Sequence, residues 1–338
     1  MLRATRQDVA QLAGVSTAVV SYVLNDGPRP VAEATRQRVL AAMEQLSYRP
    51  NALARALKSE RTYVLGLMIA DITNPYYSEF ARAFQDQARD AGWTVMIASG
   101  NQDSERETED VKSFLAREVD GIAVYGARGD ETLDVLASSG TRVVSVHFDR
   151  EELPSVAVDD YSATRTAIEH LQAHGHIRIG FLGGLGDFTQ RDLAWRDALS
   201  PDLAADDLLA WGEFSRQGGY DAMIDLLSRT NPPTAVFVSS DYQAFGALRA
   251  AEVLGVRVPE DLAIVSYDGT SGSAFTSPPL TAIRIPFDLI ARQCLRKLTA
   301  APASFELHTT VPHELVLRDS CGCGETETGR GRPIRARD

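Results

Sequence analysis

The chain has 338 residues, of which 44% are hydrophobic and 24% are charged, and its formal net charge at pH 7 is −12. This length predicts two or three domains, and this composition is typical of a globular protein with a sizeable core. The sequence has no run of eighteen apolar residues and no basic N-terminal segment followed by an apolar block. We therefore expect no membrane span or membrane partner, no signal peptide and a cytoplasmic location.

The charge is distributed unevenly along the chain. Residues 1–61 contain nine lysines and arginines against five acidic residues, a net charge of +4, which leaves −16 for the remainder. A basic segment on an acidic body favours contact of that segment with nucleic acid and repulsion of phosphate by the rest. The three cysteines, Cys294, Cys321 and Cys323, are too few for a disulfide framework, which agrees with a reducing compartment.

Residues 6–24 predict two short helices joined by a tight turn. Val9, Leu12 and Ala13 recur at helical spacing in the first helix, and Gly14 ends it. Ser16 is expected to cap the second helix, whose inward residues are Val19, Val20 and Val23. The residues left on its outer face are Thr17, Ala18, Ser21 and Tyr22. This pattern predicts a helix-turn-helix whose second helix can enter the DNA major groove, although any small three-helix bundle can show it.

A third helix is predicted over residues 33–46, after a loop of turn-forming residues. Its apolar face, which closes the core of the N-terminal segment, consists of Val39, Leu40, Met43 and Leu46. Asn51 follows Pro50 and could cap a further helix of about two turns. A helix that short is marginal in water and folds only when something holds it, so a flexible linker is the alternative interpretation.

From Thr62 onward the sequence alternates apolar strand runs with amphipathic helices. The strand runs are YVLGLMIADI, WTVMIAS, GIAVYG and RVVSVHF, then IRIGFLG, TAVFVSS and LAIVSYD. The helices are expected at 75–91, 104–117, 131–138, 161–174, 191–199, 218–228 and 242–254. This alternation predicts doubly wound parallel sheets, and two similar halves in succession predict a bilobed protein with its ligand at the C-terminal ends of the strands.

Other patterns suggest chemistry but are incomplete. His170 and His174 could share one helix face and bind a metal, yet no third ligand follows at the usual spacing, so surface histidines are the expected interpretation. Cys321 and Cys323 lack a partner pair, so zinc is not expected, and the tail after them is expected to be disordered. The glycines after Ile179 match no phosphate-binding motif, and no catalytic motif occurs. The sequence therefore predicts no enzyme, no metal site and no cofactor.

The runs DVAQLAGVS, VSYVLN and TRQRVLAAMEQLSYRPNALARAL resemble the N-terminal head of the lactose-repressor (LacI/GalR) family of bacterial transcription regulators. The match is long, ordered and nearly free of gaps. The later part resembles the periplasmic-sugar-binding-type core of the same family, so the resemblance spans about residues 4–322. It implies an α/β fold with an N-terminal helix-turn-helix head and a bilobed periplasmic-binding-protein-like core of two doubly wound parallel sheets.

The resemblance also implies a domain organisation. The expected domains are a helix-turn-helix head (1–49), a hinge helix and linker (50–61), a first core lobe (62–159 with 286–312), a second core lobe (160–285 with 313–322) and a tail (323–338). In that fold the chain crosses between the lobes three times. The crossings are expected near residue 159, near 283–286 and near 311–314.

The resemblance implies which residues contact operator DNA. Base readout carries over to Thr17, Ala18, Ser21 and Tyr22, and phosphate contact to Arg6, Ser16, Asn25 and Arg29. The hinge helix pairs with that of the dimer mate in the minor groove, with contacts from Asn51, Arg55, Leu57 and Lys58, and the leucine wedges between base pairs. Tyr22 stands where arginine is frequent in the family, which removes bidentate readout of guanine and leaves the operator sequence open.

Effector contacts are implied at strand ends of both lobes. The residues are Tyr76, Tyr77, His147, Asp149, Arg191, Phe214, Ser240, Asp241, Asp268 and Phe287. Several carboxylates, one arginine and aromatic rings suit a polyhydroxylated ligand, because its hydroxyls donate to carboxylates while its apolar ring face stacks. A sugar is therefore the first expectation and a purine-like base the second.

Taken together, these features predict a homodimeric, sequence-specific transcriptional repressor whose affinity for operator DNA is controlled by a small effector. A cytoplasmic sugar-binding or sugar-acting protein without a DNA role is the alternative, but it leaves the basic head unexplained and lacks a catalytic constellation. A solute receptor for a transporter requires export, and the sequence predicts no signal peptide.

Overall fold

The structure is a computed structural model. It describes residues 4–25, 30–49, 61–100, 103–125, 130–147, 153–185, 190–199, 206–301 and 304–323. The chain divides into two compact units, Met1–Tyr63 and Val64–Asp338. The predicted hinge helix falls on residues 50–60, outside the described part of the chain.

The described residues of the N-terminal unit form three helices, α1 (Arg6–Ala13), α2 (Thr17–Asn25) and α3 (Glu33–Gln45). A capping box begins α1: the Thr5 hydroxyl accepts from the Asp8 amide, and the Asp8 carboxylate accepts from the Thr5 amide at 2.7 Å. Gly14 ends α1 in the left-handed region with a φ of 65°, which a glycine adopts without strain. The Ser16 hydroxyl then accepts from an amide in the first turn of α2, as the sequence predicts.

The core of this unit consists of small apolar side chains. Its buried residues are Val9, Ala10, Ala13, Val20, Val23, Val39 and Ala42. Two residues predicted to face this core, Leu12 and Leu40, are instead 46% and 41% exposed. Each is adjacent in sequence to a buried residue, and one step along a helix turns the side chain by about 100°. The inner faces are therefore narrower than the apolar pattern suggests.

The second unit contains twelve strands within its described residues. They are β1 (Val64–Ile69), β2 (Thr94–Ser99), β3 (Gly121–Tyr125), β4 (Arg142–Val146), β5 (Ser155–Val158), β6 (Ile179–Gly184), β7 (Leu209–Gly212), β8 (Ala235–Val238), β9 (Ala263–Asp268), β10 (Thr281–Arg284), β11 (His308–Val311) and β12 (Glu314–Val316). The α-helices between them are α4 (Pro75–Asp90), α5 (Ser104–Leu115), α6 (Asp130–Ser138), α7 (Asp160–Ala173), α8 (Gln190–Ala198), α9 (Arg216–Leu227), α10 (Asp241–Leu254) and α11 (Phe287–Thr299).

These strands form two sheets, which define two lobes. The first sheet has the order β11-β5-β4-β3-β1-β2 and is parallel throughout. The second has the order β12-β10-β9-β8-β6-β7 and is parallel except for the edge strand β12, which runs antiparallel to β10. Two doubly wound sheets are therefore confirmed, with one antiparallel edge added to the second.

The chain passes between the two sheets three times. It does so between β5 and α7, between β10 and α11, and between β11 and β12. The strands β5, β7, β10, β11 and β12 were not predicted from the sequence. They have only three or four residues and lie at a sheet edge or beside a crossing. Because β7 was not predicted, the helices at 191–199 and 218–228 were expected to follow one another directly, whereas the structure has β7 between them.

None of the helices in the described part of the chain is long and apolar enough to span a membrane.

Candidate nucleic-acid interface and ligand pocket

The outer face of α2 carries the four residues predicted to read DNA bases. Thr17 and Ala18 are exposed, whereas Ser21 and Tyr22 are half-buried, and the opposite face packs into the three-helix core. Arg6 at the start of α1 is exposed, as is the capping serine before α2. A helix with small and polar residues on its outer face has the dimensions and donors that a major groove accepts.

Six residues predicted to contact DNA or ligand lie outside the part of the chain that the structure describes. They are Arg29, Asn51, Arg55, Leu57 and Lys58 in the N-terminal unit and Asp149 in the second unit. Asn25 is the last residue of α2, and only its backbone is described. The roles of these seven residues remain predictions from the family resemblance.

A pocket lies between the two lobes at the C-terminal ends of the parallel strands. The first lobe contributes Ala70, Asp71, Asn74, Tyr76, Tyr77, Tyr125 and His147. The second contributes Asp160, Phe181, Gly184, Arg191, Trp211, Phe214, Ser239, Ser240 and Asp268. The lining therefore combines six aromatic rings with three carboxylates and one guanidinium. Seven of the ten predicted effector contacts are among these residues.

A buried ionic network centred on Arg191 joins the two lobes. Its Nε donates to Asp160 Oδ2 at 3.1 Å, its Nη1 donates to the Ser239 carbonyl at 2.6 Å, and its Nη2 lies 3.3 Å from His147 Nε2. The guanidinium carbon lies 3.9 Å from the centroid of the Tyr267 ring, and the hydroxyl of that tyrosine donates to Asp160. His147 Nε2 also lies 3.3 Å from Asp160 Oδ2, so one carboxylate contacts groups from both lobes.

The network keeps its central pair ionised. Burial raises the pKa of Asp160, but the charges of Arg191 and His147 outweigh burial and hold that pKa below its usual value. Burial lowers the pKa of Arg191, whereas the neighbouring carboxylate of Asp160 raises it to a net value above the usual one. A charged group in a ligand would therefore meet a pair already neutralised, and neutral hydroxyls are better partners.

Two residues lining the pocket hold a backbone conformation that side chains disfavour. His147 follows β4 with a φ of 76°, and Asp268 ends β9 with a φ of 106°. Backbone hydrogen bonds hold both: the His147 amide donates to the Val156 carbonyl at 2.9 Å, and the Asp268 carbonyl accepts from the Ile285 amide at 3.0 Å. Strain of this kind persists where the surroundings determine it, and it often occurs at ligand sites.

Asp268 is paired with the predicted contact Asp241, which lies beneath the pocket. The Asp241 amide donates to Asp268 Oδ2 at 3.0 Å. The Asp241 carboxylate is fully buried and accepts from Ser266 Oγ at 2.5 Å and from the Thr270 amide and hydroxyl at 2.6 and 2.7 Å. Its carboxylate thus stabilises the loop after β9 and is not among the lining groups.

Both carboxyl groups of this pair have raised pKa values. Burial, followed by the charge of Asp241, raises the pKa of Asp268 well above its usual value. Burial also raises the pKa of Asp241 to about 6, although hydrogen bonds from Ser266 and Thr270 lower it in part. A protonated Asp268 could donate a hydrogen bond to a ligand as well as accept one.

Aromatic side chains form much of the pocket wall. The Tyr125 hydroxyl donates to the Tyr76 hydroxyl, which fixes both rings in the first lobe. In the second lobe Phe214 packs directly over Gly184, where an added Cβ would lie 2.2 Å from the ring. Phe287, a predicted contact, lies behind the wall: its ring centroid is 5.3 Å from that of Tyr76, and it is not among the lining residues.

Three lining residues that determine much of the pocket geometry were not predicted from the sequence. Asp160 lies next to a predicted crossing but was not among the predicted contacts, although it is the first residue of α7 and the partner of Arg191. Tyr125 ends β3, and Trp211 belongs to the strand β7 that was not identified. The available signal was position in the sequence, because each residue lies at or next to the end of a strand or directly after a crossing.

A second contact joins the lobes beside the pocket. Glu79 on α4 accepts from the Ser271 amide at 2.9 Å and from the Ser271 hydroxyl at 2.7 Å. Ser271 follows β9 in the second lobe. The structure therefore shows the lobes in contact at a second place in addition to the network around Arg191.

A separate cluster contains the histidines and cysteines that the sequence analysis treated apart. His170 and His174 lie beside Cys321 and Cys323, although about 150 residues separate the two pairs in sequence. Burial raises the pKa of Cys321, but hydrogen bonds with His170 and Thr281 outweigh burial and lower the pKa to about 7. The histidines are thus accompanied by sulfur ligands that sequence spacing does not show.

Comparison with known families gives two matches. The family of bacterial regulatory proteins described as the lacI family matches residues 5–51. A periplasmic binding protein-like domain matches residues 168–321. The first match covers the helix-turn-helix, and the second covers most of the second lobe together with the last crossings.

Two named bacterial proteins are similar to this chain over most of its length. The chain is 32% identical to catabolite control protein A of Priestia megaterium over 331 residues, which cover 94% of this chain and 99% of that protein. It is 35% identical to the HTH-type transcriptional regulator GalR of Salmonella typhimurium over 300 residues, covering 86% and 87%. The second of these relatives is a transcriptional regulator by name.

Solved structures of transcriptional regulators also match nearly the whole chain. A lac repressor dimer bound to operator and the anti-inducer ONPF superposes with a TM-score of 0.83 and 27% identity, covering 95% of this chain and 99% of that chain. A complex of the transcriptional regulator CelR with cellobiose gives a TM-score of 0.69 and 28% identity, covering 94% and 100%.

Proposed function

The chain belongs to the lacI family of bacterial regulatory proteins, and we propose that its pocket binds a sugar whose occupancy controls repression at a near-palindromic operator. As a member of that family the chain is a DNA-binding transcriptional regulator with a small-molecule effector. The proposal concerns which residues read the DNA, which ligand fills the pocket, and how the two are coupled.

DNA is read by the outer face of α2 in this proposal. Thr17, Ala18, Ser21 and Tyr22 contact base edges, and the positive charge of the N-terminal segment supplies phosphate contacts. Two heads are brought onto one site by a homodimer, which the dimeric lac repressor relative supports. The division into head, hinge, two lobes and tail given by the sequence is part of the same proposal.

The pocket chemistry favours a sugar. Each hydroxyl of a sugar can donate and accept at once, and the pocket offers acceptors at Asp160 and Asp268 beside the donor Arg191. The aromatic side chains Trp211 and Phe214 give apolar surface for the face of a pyranose ring. A related regulator has been solved with cellobiose, which supports this ligand class.

A purine-like base is the second candidate ligand. It is favoured by one observation, the six aromatic rings among the lining residues, because a flat base can stack on several of them. The two ligand classes differ in the hydrogen bonds they require, and a sugar uses more of the carboxylate oxygens.

The observation that carries the proposed control is the contact of His147, from the first lobe, with both Arg191 and Asp160 of the second lobe. A ligand that enters between these groups must change how the lobes meet. Such a change alters DNA affinity only by the difference in ligand affinity between the two arrangements, typically about 1–3 kcal/mol.

The test begins with selection of a DNA site from a random pool by the purified full chain. The proposal expects a near-palindromic consensus, bound with a steep dependence on salt. Fluorescence anisotropy on that site, with panels of sugars and of nucleobases, should identify a ligand that changes DNA affinity by roughly 5–150-fold. Failure to select any palindromic site would overturn the DNA part, and a response only to nucleobases would overturn the sugar assignment.

A further inference from the structure

The end of α7 and the segment after β12 bring two imidazoles and two thiols together. His170 Nε2 lies 3.3 Å from Cys321 Sγ and 3.6 Å from Cys323 Sγ, and His174 Nε2 lies 3.3 Å from Cys323 Sγ. The ligand atoms of His170, His174 and Cys323 all lie within 4.8 Å of one another. Four potential ligands of the kind that bind Zn²⁺ therefore share one small region.

Three of the nitrogen–sulfur distances match those around a tetrahedral zinc ion, although Cys321 Sγ lies outside the group of three ligand atoms that are within 4.8 Å of one another. Zinc holds thiolate sulfur at about 2.3 Å and imidazole nitrogen at about 2.0 Å, so adjacent nitrogen and sulfur ligands lie about 3.5 Å apart. The three nitrogen–sulfur distances here, 3.3, 3.3 and 3.6 Å, are close to that edge length. His170 and His174 are four residues apart, a spacing that places both side chains on one face at the end of a helix.

The backbone presents both sulfur atoms to the helix. Gly322, between the two cysteines, has a φ of 88° in the left-handed region, so the chain turns at this residue. Ser320 anchors the segment from below, because its hydroxyl accepts from the Thr281 amide at 2.8 Å and donates to the Ile264 carbonyl at 2.6 Å. The Thr281 hydroxyl lies 3.0 Å from Cys321 Sγ, which is a supporting contact of the kind that orients metal ligands.

The charges and exposure of the cluster also suit the ion. Two thiolates would balance the charge of Zn²⁺, with two neutral imidazoles completing the coordination. Cys321 is buried, whereas His174 is exposed and Cys323 is half-buried, so an ion can enter from solvent. A mixed nitrogen and sulfur set of four favours Zn²⁺ over Mg²⁺ or Ca²⁺, which prefer oxygen ligands.

We propose that His170, His174, Cys321 and Cys323 bind one Zn²⁺ ion that fastens the C-terminal segment to α7. The ion closes a loop of about 150 residues between its two pairs of ligands, so it stabilises the second lobe against unfolding. The same helix begins at Asp160 in the pocket, so the ion fixes the far end of an element that carries a pocket residue. The site is structural, because protein side chains supply all four ligands.

The test uses the full chain, kept reduced, loaded with Zn²⁺ and dialysed against metal-free buffer before elemental analysis. We expect one zinc per chain in the parent protein and a loss of most of that zinc in His174→Gln and Cys323→Ser. Matched controls are His176→Gln, next to the cluster but hydrogen-bonded to Thr234, and Cys294→Ser, a buried thiol elsewhere; both should keep the zinc. Removal of zinc with a chelator should lower the Tm of the parent and leave that of Cys323→Ser unchanged.

Cobalt gives a readout that does not depend on the variants folding. Co²⁺ bound to the metal-free parent should show the intense visible bands of tetrahedral coordination and a thiolate-to-cobalt charge-transfer band in the near ultraviolet. A parent chain that retains no zinc and gives only the spectrum of hydrated Co²⁺ overturns the proposal. Equal zinc content in the parent and in His174→Gln overturns the assignment of these ligands.

Discussion

The Arg191 guanidinium and the Asp160 carboxylate form an ion pair at 3.1 Å within the pocket, with side chains only 10% and 14% exposed. The pair links the start of α7 to α8, and His147 from the other lobe contacts both members. A buried pair of this kind adds little net stability, but the loss of one member leaves an uncompensated charge. The pair therefore fixes the geometry of the pocket.

Arg191→Met should destabilise the protein by roughly 3 kcal/mol, because Asp160 then remains as a buried charge. The double variant Arg191→Met with Asp160→Asn should recover part of this loss. The measurement is urea unfolding of Arg191→Met, Asp160→Asn and the double variant in a double-mutant cycle. The effector response on DNA is measured as well, and Arg191→Met should abolish it.

Arg196→Met is the matched control for this cycle. Arg196 lies on the same helix with a side chain 34% exposed, and its ion pairs with Asp192 and Asp206 are long, at 4.0 and 3.5 Å. Its replacement should cost less than that of Arg191, because its guanidinium is more exposed and lies 4.0 Å from the Asp192 carboxylate. If Arg191→Met and Arg196→Met lower the free energy of unfolding equally, the ion pair of Arg191 with Asp160 is no more important for stability than a partly exposed ion pair.

The sequence predicts the alternating architecture well, because long apolar strands and amphipathic helices such as β1 and α4 carry strong periodic signals. It misses β7 and β12, whose few residues show no period. The left-handed conformation of Asp268 is also invisible in sequence, since it is imposed by backbone contacts with residues far along the chain. Local pattern thus determines the elements, and tertiary contacts determine their ends.

The pocket and the histidine–cysteine cluster differ in how far sequence could locate them. The family resemblance correctly placed seven predicted residues in the pocket lining. It also placed Asp241 and Phe287 there, but Asp241 is buried away from the lining and Phe287 packs against the lining residue Tyr76. The family resemblance did not predict the histidine–cysteine cluster. Cys323 lies 149 residues after His174, and only the fold brings them together.

Glu79→Gln should weaken effector binding by roughly 10-fold, because a neutral amide is a poorer acceptor for the two Ser271 donors that join the lobes, and hydrogen bonds to charged groups contribute about 1.5–3 kcal/mol. Calorimetric titration with the identified effector measures the change. The control is Asp86→Asn on the same helix, because Asp86 forms ion pairs with Arg82 and Arg89 of that helix. An unchanged affinity in Glu79→Gln would show that this contact does not favour the ligand-bound arrangement.

Asp268→Asn should stabilise the ligand-free protein at high pH. Burial and the charge of Asp241 raise the pKa of Asp268, so the folded state binds a proton that the unfolded state has lost above about pH 4. Stability from this group is therefore present at low pH and is lost as the pH rises. The variant removes this loss, so its Tm should exceed that of the parent by at least about 2 °C at pH 8 and match it near pH 4.

Asp261→Asn is the control with the opposite sign. A hydrogen bond from Arg257 lowers the pKa of this exposed carboxylate to about 2, so its contribution is present above about pH 4 and is lost as the pH falls. The variant should be less stable than the parent at pH 8, with the difference shrinking toward pH 2. If Asp268→Asn behaves in the same way as this control, the inferred protonation of Asp268 is wrong.

Tyr22→Arg should change which operator the protein selects while leaving its fold intact. Tyr22 is half-buried on the outer face of α2, and a phenol cannot reproduce the two parallel donors with which arginine contacts guanine. Selection from random DNA should therefore give a consensus that gains guanine at one symmetric pair of positions, with a discrimination of about 1–3 kcal/mol against the parent base. Gln37→Ala on α3, which removes a hydrogen bond to Glu33 outside the two-helix motif, should select the parent sequence. An identical consensus from Tyr22→Arg and the parent would remove Tyr22 from the residues that contact bases and leave Thr17, Ala18 and Ser21 to account for specificity.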